Sequence, residues 1–292
     1  MLQDVYNKLD EFIAQISNQQ HDTKATSPKL YVFWTLVTPK LITYLSDDYN
    51  LEDVLRIFTL SERVKLRKQP IHNLAKQLLS KLLVKVVINY FRGAPVDQDV
   101  PIKYEKYGKP FLDETNVQLS ISTSNEIVCI AIEKGCGTPI GVDLSHSVQD
   151  SISPINFMSQ FDPMFSELER TQLMDIENIE ERYIAFNQLW TLKEAFTKLI
   201  GSGLNLNLAS FGFDMNLVHD SSADLKWVTS SVNTTGLLDS QFLQKLPIQK
   251  FKCFSTILDF SASIPIIVSF VGQINEVPPE VLYLDIGEIL FN

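Results

Sequence analysis

The chain has 292 residues, of which 45% are hydrophobic, 21% charged and 10% aromatic, and its net charge is −10. That composition supports the buried core of one large domain or two modest ones and excludes bulk disorder. The acidity makes nucleic acid a poor partner, and no apolar run approaches the ~20 residues that a membrane-spanning helix needs.

At the start of the chain, Leu2, Val5, Leu9, Phe12, Ile13 and Ile16 recur at helical spacing, which predicts an amphipathic helix. Asp4, Asp10 and Glu11 interrupt it, so it reads neither as a signal peptide nor as a transit peptide. Cys129, Cys136 and Cys253 cannot all pair and have no CxxC spacing, which argues against a disulfide scaffold or a zinc site. The expected location is the cytoplasm.

Residues 21–28 read as a polar linker. Tyr31–Val37 is a predicted strand ended by Pro39, and Leu51–Leu60 a short helix. Ser61 is the expected N-cap of a basic helix that Pro70 breaks, and Leu74–Phe91 is a long helix with a wide apolar face. Between Ser61 and Lys109 stand eleven Lys or Arg against four acids, a local charge of +7 that leaves −17 for the rest. A basic island in an acidic chain suggests an anionic ligand, although charge alone fits a solvated helix face better. Tyr107–Pro110 is a turn. Val117–Ser122 and Ile127–Ile132 are strands flanking a polar turn at Thr123–Glu126, and Ile140–Leu144 is another short strand.

The second half holds helices over Phe165–Met174 and Ile179–Ile200, the latter ended by Gly201 and Gly203. Strands follow at Phe211–Met215, Leu225–Val232, Phe251–Leu258 and Pro265–Val271. Each half thus shows a long helix with strands after it, without a repeat at residue level.

Two constellations carry chemistry. On the Ile179–Ile200 helix, Trp190, Glu194 and Lys198 are four apart and share one side, with Lys193 close beside them. By spacing alone these are ordinary surface pairs. In Gly141-Val142-Asp143-Leu144-Ser145 an acid sits inside an apolar strand. Burying it is costly unless it binds a metal or is hydrogen-bonded, and an acid capping a turn is the bland alternative.

The run Trp190-Thr191-Leu192-Lys193-Glu194-Ala195-Phe196, with Lys198 and then Gly201-Ser202-Gly203-Leu204, resembles the C-terminal signature of 4′-phosphopantetheinyl transferases. Gly141-Val142-Asp143 is similar to that family's G-[IV]-D motif, Tyr107–Pro110 to its G-K-P motif, and Ser120–Ser124 to its N-x-S-H-S motif. Length and layout match the larger, surfactin-synthetase-activating type.

The resemblance implies an α+β fold in which two similar halves form a pseudo-twofold repeat, each a small antiparallel sheet on a long helix with the active site in the cleft. Residues 1–138 would be the half that binds the coenzyme A phosphates and 139–292 the half with the metal and catalytic residues. The implied reaction moves the 4′-phosphopantetheine arm of coenzyme A to a serine of an apo carrier domain, giving 3′,5′-ADP. Asp143 and Glu194 would hold Mg²⁺. Glu194, Lys198 and Lys193 would be catalytic, with Glu194 the base and the two lysines near the pyrophosphate, or Lys193 orienting Glu194. Trp190 is read as packing. Lys76, Lys109, Ser122, Thr123, Lys198, Arg63 and Arg67 would contact coenzyme A.

Two positions depart from the pattern. The family's S-H-S is Ser122-Thr123-Ser124 here, so a neutral hydroxyl stands where the family has a phosphate-binding histidine. Ser145 stands where many members have a third acid, and a water held by Ser145 is expected to complete the metal shell. The carrier is expected to be aminoadipate reductase of lysine biosynthesis, with polyketide or non-ribosomal peptide synthetases as alternatives. The protein would be a monomer with no nucleic-acid or membrane partner. The non-enzyme alternative is a catalytically weakened module that binds coenzyme A or a carrier.

Overall fold

A computed structural model describes residues 3–19, 29–96, 98–113, 116–146, 152, 154–218, 225–246, 250–259, 265–273 and 277–291. The expected linker at 21–28 lies outside them. In chain order the elements are α1 (Gln3–Gln19), β1 (Lys29–Leu36), α2 (Pro39–Leu45), α3 (Asp48–Leu55), α4 (Leu60–Leu66) and α5 (Ile71–Arg92). Next come β2 (Lys103–Tyr104), β3 (Pro110–Phe111), β4 (Val117–Ser124), β5 (Ile127–Lys134) and β6 (Gly141–Leu144). They are followed by α6 (Phe157–Phe161), α7 (Glu167–Met174), α8 (Ile179–Ile200), β7 (Gly212–Asp214) and β8 (Val228–Asn233). The last are α9 (Gln241–Gln244), β9 (Lys252–Asp259), β10 (Ile266–Gly272), β11 (Glu280–Tyr283) and α10 (Ile286–Phe291). This is a mixed α+β protein. No helix among the described residues is long and apolar enough to cross a membrane.

The chain divides into two compact units. One holds residues 1–101, 126–130 and 280–292, the other 102–125 and 131–279. The boundary expected at 138/139 falls inside the second unit.

In the first unit α5 packs against β1, α1, α2, α4 and α10. It begins after Pro70 and stops where Gly93 takes a left-handed conformation (φ 66°) that a Cβ would oppose. β1 pairs with β11 in parallel, with Tyr31 opposite Glu280. The small sheet expected here was antiparallel. The difference arises because the chain returns to this unit at its C-terminal end. The expected N-cap at Ser61 is also corrected. Thr59 caps α4 and forms a capping box with Glu62, because an acid stands three residues after Thr59 and Val64 three after Ser61. Pro39 not only ends β1 but opens α2, with Thr38 as its cap.

The second unit is built on an antiparallel sheet ordered β6-β10-β9-β8-β7. Asp143 stands opposite Ser269 in the β6–β10 pair. Helix α8 lies across β6 and β10 and spans Ile179–Ile200, the residues expected. Asn178 caps its start by accepting from Glu180 N and Glu181 N, and Gly201 (φ 70°) ends it. Its apolar side, including Phe186, Leu189, Leu192, Phe196 and Leu199, is buried in the core of this unit. β4 runs to Ser124, two residues beyond expectation, so Thr123 is a strand residue. The turn is made by Asn125 at φ 47°, a residue that tolerates the left-handed region.

β6 begins with direct backbone contact to α8. A Cβ on Gly141 would lie 1.8 Å from the carbonyl oxygen of Ala195 and 2.8 Å from the amide nitrogen of Leu199. Neither can move without unwinding the helix. Alternation along the strand puts Asp143 on the same face as Gly141, so the acid is directed towards α8. Gly141→Ala is therefore expected to lower unfolding free energy by about 3 kcal/mol, the upper end for overpacking, in chemical denaturation. Stability equal to the parent protein would contradict the close approach.

Candidate active site

Asp143 is buried, and both of its hydrogen bonds fall on one oxygen. Lys198 Nζ donates to Oδ1 at 2.6 Å and Ser122 Oγ donates to the same atom at 2.8 Å. The Lys198 ammonium also donates to Val142 O (3.1 Å) and Ile121 O (3.2 Å). Its three protons thus join α8 to β4 and to β6.

The contact between β4 and β6 is made by side chains. Val142 N donates to Ser120 Oγ at 3.0 Å, Leu144 N to Ser122 Oγ at 3.2 Å, and Ser124 Oγ to Ser145 O at 2.6 Å. Serines spaced two apart all face one side of a strand, and here that side meets the edge of β6. Edge amides that would otherwise be buried without partners are satisfied by hydroxyls.

Glu194 sits one helical turn before Lys198. Its Oε1 is buried and has no hydrogen-bond partner. Burial pushes its carboxyl pKa up, the neighbouring Asp143 charge adds to that, and Lys198 opposes both. Asp143, Glu194 and Lys198 line a cavity of about 400 Å³ together with Thr123, His146 and Trp190. Trp190 also packs on the rings of Phe161 and Phe186. A second cavity of about 250 Å³ shares Glu194 and Lys198, and is lined also by Tyr107, Lys109, Gly201 and Leu204. Lys109 follows the turn between β2 and β3 and donates to Leu199 O at 2.5 Å, at the carbonyl end of α8. Burial pushes its pKa down to about 8, against the pull of Glu105.

Several expected site residues are placed elsewhere. Lys193 is fully buried and points into the core. Its ammonium pairs with Glu169 Oε1 at 2.9 Å and donates to Leu208 O (2.7 Å) and Phe211 O (2.9 Å). Burial lowers its pKa and Glu169 draws it back up. Consecutive helix residues are about 100° apart, so Glu194 facing the cavity turns Lys193 away from it. Lys193 is therefore held on the core side of α8, away from the cavity that Glu194 lines.

Ser145 is turned towards β10. Its hydroxyl accepts from Ile267 N at 2.8 Å and donates to Pro265 O at 3.5 Å, so it is bound to β10 and the residue before it. Ser122 uses its hydroxyl on Asp143 and Leu144. Thr123 is exposed and lines the larger cavity.

Arg63, Arg67 and Lys76 belong to the first unit. Arg63 donates to Phe58 O (2.8 Å) and Arg56 O (2.9 Å), Arg67 pairs with Glu52, and Lys76 is half-buried on α5. His146 lines the larger cavity and lies 3.0 Å from Ser124 Oγ through Nδ1.

Among the described residues no group of three or more His, Cys, Asp or Glu could hold a metal ion. Two carboxylates, Asp143 and Glu194, do converge. An orphaned, destabilised carboxylate oxygen beside a second carboxylate is a donor set suited to a hard divalent cation, which needs one or two protein carboxylates when water and ligand phosphates supply the rest.

Residues 139–243 match the model of the 4′-phosphopantetheinyl transferase superfamily. That stretch contains Asp143, Glu194 and Lys198. The L-aminoadipate-semialdehyde dehydrogenase-phosphopantetheinyl transferase of Saccharomyces cerevisiae is 28% identical over 182 residues, 58% of this chain and 62% of that protein. The protein of the same name from Candida glabrata is 23% identical over 250 residues, 82% of this chain and 91% of that one. The 4′-phosphopantetheinyl transferase Sfp of Bacillus subtilis is 32% identical over 138 residues, 47% of this chain and 56% of its own length.

The raised pKa of Glu194 has a consequence for stability. A carboxyl whose folded pKa lies above its unfolded value stabilises the fold below the unfolded value, near 4.5, and that contribution is lost as pH rises through the folded pKa. With a chelator present at neutral pH, Glu194→Gln is expected to be more stable than the parent protein by about 1 kcal/mol, in the range typical of relieved active-site strain. The gap should close as pH falls towards 4.5. Denaturant titration across that range measures it, and a parent protein as stable as the variant at neutral pH would contradict the geometry.

Proposed function

We propose that this chain transfers the phosphopantetheine arm of coenzyme A to a serine hydroxyl of an apo carrier domain and releases 3′,5′-ADP. The observation that carries this reading is the convergence of Asp143, Lys198 and the unpaired Glu194 oxygen on one cavity. In the transfer the serine oxygen forms a bond to the phosphorus that carries pantetheine. The bond from that phosphorus to the adenosine side breaks. The serine proton goes to Glu194 Oε1, directly or through water. Burial and the Asp143 charge raise the basicity of Glu194, and such a base is worth ~10²–10⁴ in rate.

Asp143 and Glu194 would hold Mg²⁺, which when bound would neutralise charge on the pyrophosphate. Lys198 already spends all three protons on oxygen acceptors, so it meets a phosphate by exchanging one of them. Lys109 lines the adjoining cavity and Thr123 the larger one, and both are proposed phosphate contacts. Arg63, Arg67 and Lys76 are proposed to bind nucleotide phosphates, supported by the +7 charge of the Ser61–Lys109 stretch. Residues 1–138 as the phosphate-binding half and 139–292 as the half with the metal and catalytic residues remain part of the proposal.

The names of the yeast relatives favour aminoadipate reductase as the carrier, within lysine biosynthesis. Polyketide or non-ribosomal peptide synthetase carriers are the alternative clients. The protein is proposed to act as a cytoplasmic monomer without nucleic-acid or membrane partners. The position of Ser145, turned into β10, keeps alive a second reading, a module that binds coenzyme A without turnover.

Intact-mass measurement decides between them. With coenzyme A and Mg²⁺, an apo aminoadipate-reductase carrier domain should gain the mass of one phosphopantetheine arm, and a chelator should abolish the gain. Glu194→Gln should lose about a hundredfold or more in rate, as expected for a missing general base, while retaining coenzyme A binding. Coenzyme A binding without transfer to reductase, polyketide or peptide-synthetase carriers would establish the module instead.

A further inference from the structure

We infer that Ser122 is a positioning residue for Asp143 and that its hydroxyl does not bind coenzyme A. The inference rests on the reading that Asp143 and Glu194 hold a divalent cation. The Ser122 side chain is buried and both functions of its hydroxyl are used. It accepts from Leu144 N at 3.2 Å, which aims its proton at Asp143 Oδ1, 2.8 Å away. Lys198 donates to the same oxygen from the α8 side.

Two donors on Oδ1 fix the rotation of the carboxylate. Oδ2 takes no hydrogen bond among the described residues, and it is left as the oxygen of Asp143 with lone pairs to offer a cation. The neighbouring Glu194 Oε1 is unpaired. Without the Ser122 proton, Lys198 alone would hold Oδ1, and the carboxylate could turn about its terminal bond, which is broad and roughly two-fold in its preferences. The two ligand oxygens would then no longer be held in one geometry. Partners of metal-binding carboxylates typically contribute 10–100-fold in metal affinity.

Ser120 supplies the internal contrast. It forms the preceding rung of the same ladder, accepting from Val142 N at 3.0 Å, and makes no bond to Asp143. A role in joining β4 to β6 would be shared by both serines, whereas of the two only Ser122 donates to Asp143.

The test titrates Mn²⁺ into the full-length chain, followed by electron paramagnetic resonance, and separately measures coenzyme A binding in the presence of chelator. Ser122→Ala should weaken Mn²⁺ about tenfold or more, the range for such partners, and leave chelator-stage coenzyme A affinity unchanged. Ser122→Thr, which keeps the hydroxyl, should restore Mn²⁺ binding. Ser120→Ala should bind Mn²⁺ like the parent protein. Parent-like Mn²⁺ affinity in Ser122→Ala, an equal loss in Ser120→Ala, or a loss of coenzyme A binding under chelator would each overturn the inference. Asp143→Asn separates the two levels. If it binds Mn²⁺ as the parent does, the cation assignment itself fails. If it loses Mn²⁺ while Ser122→Ala does not, only the role of Ser122 fails.

Discussion

At Gly141 the first residue of β6 rests on the backbone of α8 with no room for a methyl group between them. A strand and a helix ordinarily keep a layer of side chains between their backbones. Removing that layer brings the next residue on the same face, Asp143, within reach of the half-buried side of the helix that carries Glu194 and Lys198. The acid on the strand and the acid on the helix then share one cavity. Without this contact Lys198 could not donate at once to Asp143, Val142 and Ile121.

Charge buried this way has to be compensated, and the second unit does so unevenly. Lys193 and Glu169 are both fully buried and fully satisfied. Glu169 also accepts from Ser166 N and Phe213 N. That pair fixes α8 to α7 and β7, and removing one partner of such a pair is far more damaging than replacing both. Glu194, one residue along, is left with an unpaired buried oxygen. A fold that satisfies one ion pair completely and leaves the adjacent carboxylate wanting has stability to lose at Glu194 and something to gain from a cation there. The serine ladder lies between these extremes. It supplies the edge of β6 with neutral partners and spends one proton on Asp143.

Much of this was legible in the sequence. The span of α8 could be read to the residue from its apolar spacing and from Gly201, while its Asn178 cap emerged only in the structure. Trp190, Glu194 and Lys198 share a side because they are four apart, and Asp143 stood out as an acid in an apolar strand. What could not be read depended on partners distant in the chain. Lys193 lies beside Glu194 in sequence, and a buried lysine is rare unless paired. Its partner, Glu169, is on another helix. Ser145 looked like a substitute for an acid, but Pro265 and Ile267 on β10 claim its hydroxyl. Ser122 fitted a phosphate-binding motif, while its proton is taken by an acid 21 residues on. The parallel β1–β11 pair escaped for the same reason, since nothing near Tyr31 announces a partner at Glu280. At α4, Thr59 and Glu62 did carry a capping box that the choice of Ser61 overlooked.

The central claim is that Asp143 and Glu194 form one cation site rather than two neighbouring acids. A double-mutant cycle in Mn²⁺ binding tests it most directly, comparing Asp143→Asn, Glu194→Gln and the double variant. Because one ion needs both ligands, each single change should remove most of the binding free energy. The double variant should then lose little more than either, a strong departure from additivity. Losses that simply add, or a single variant that binds as the parent protein does, would contradict a shared site.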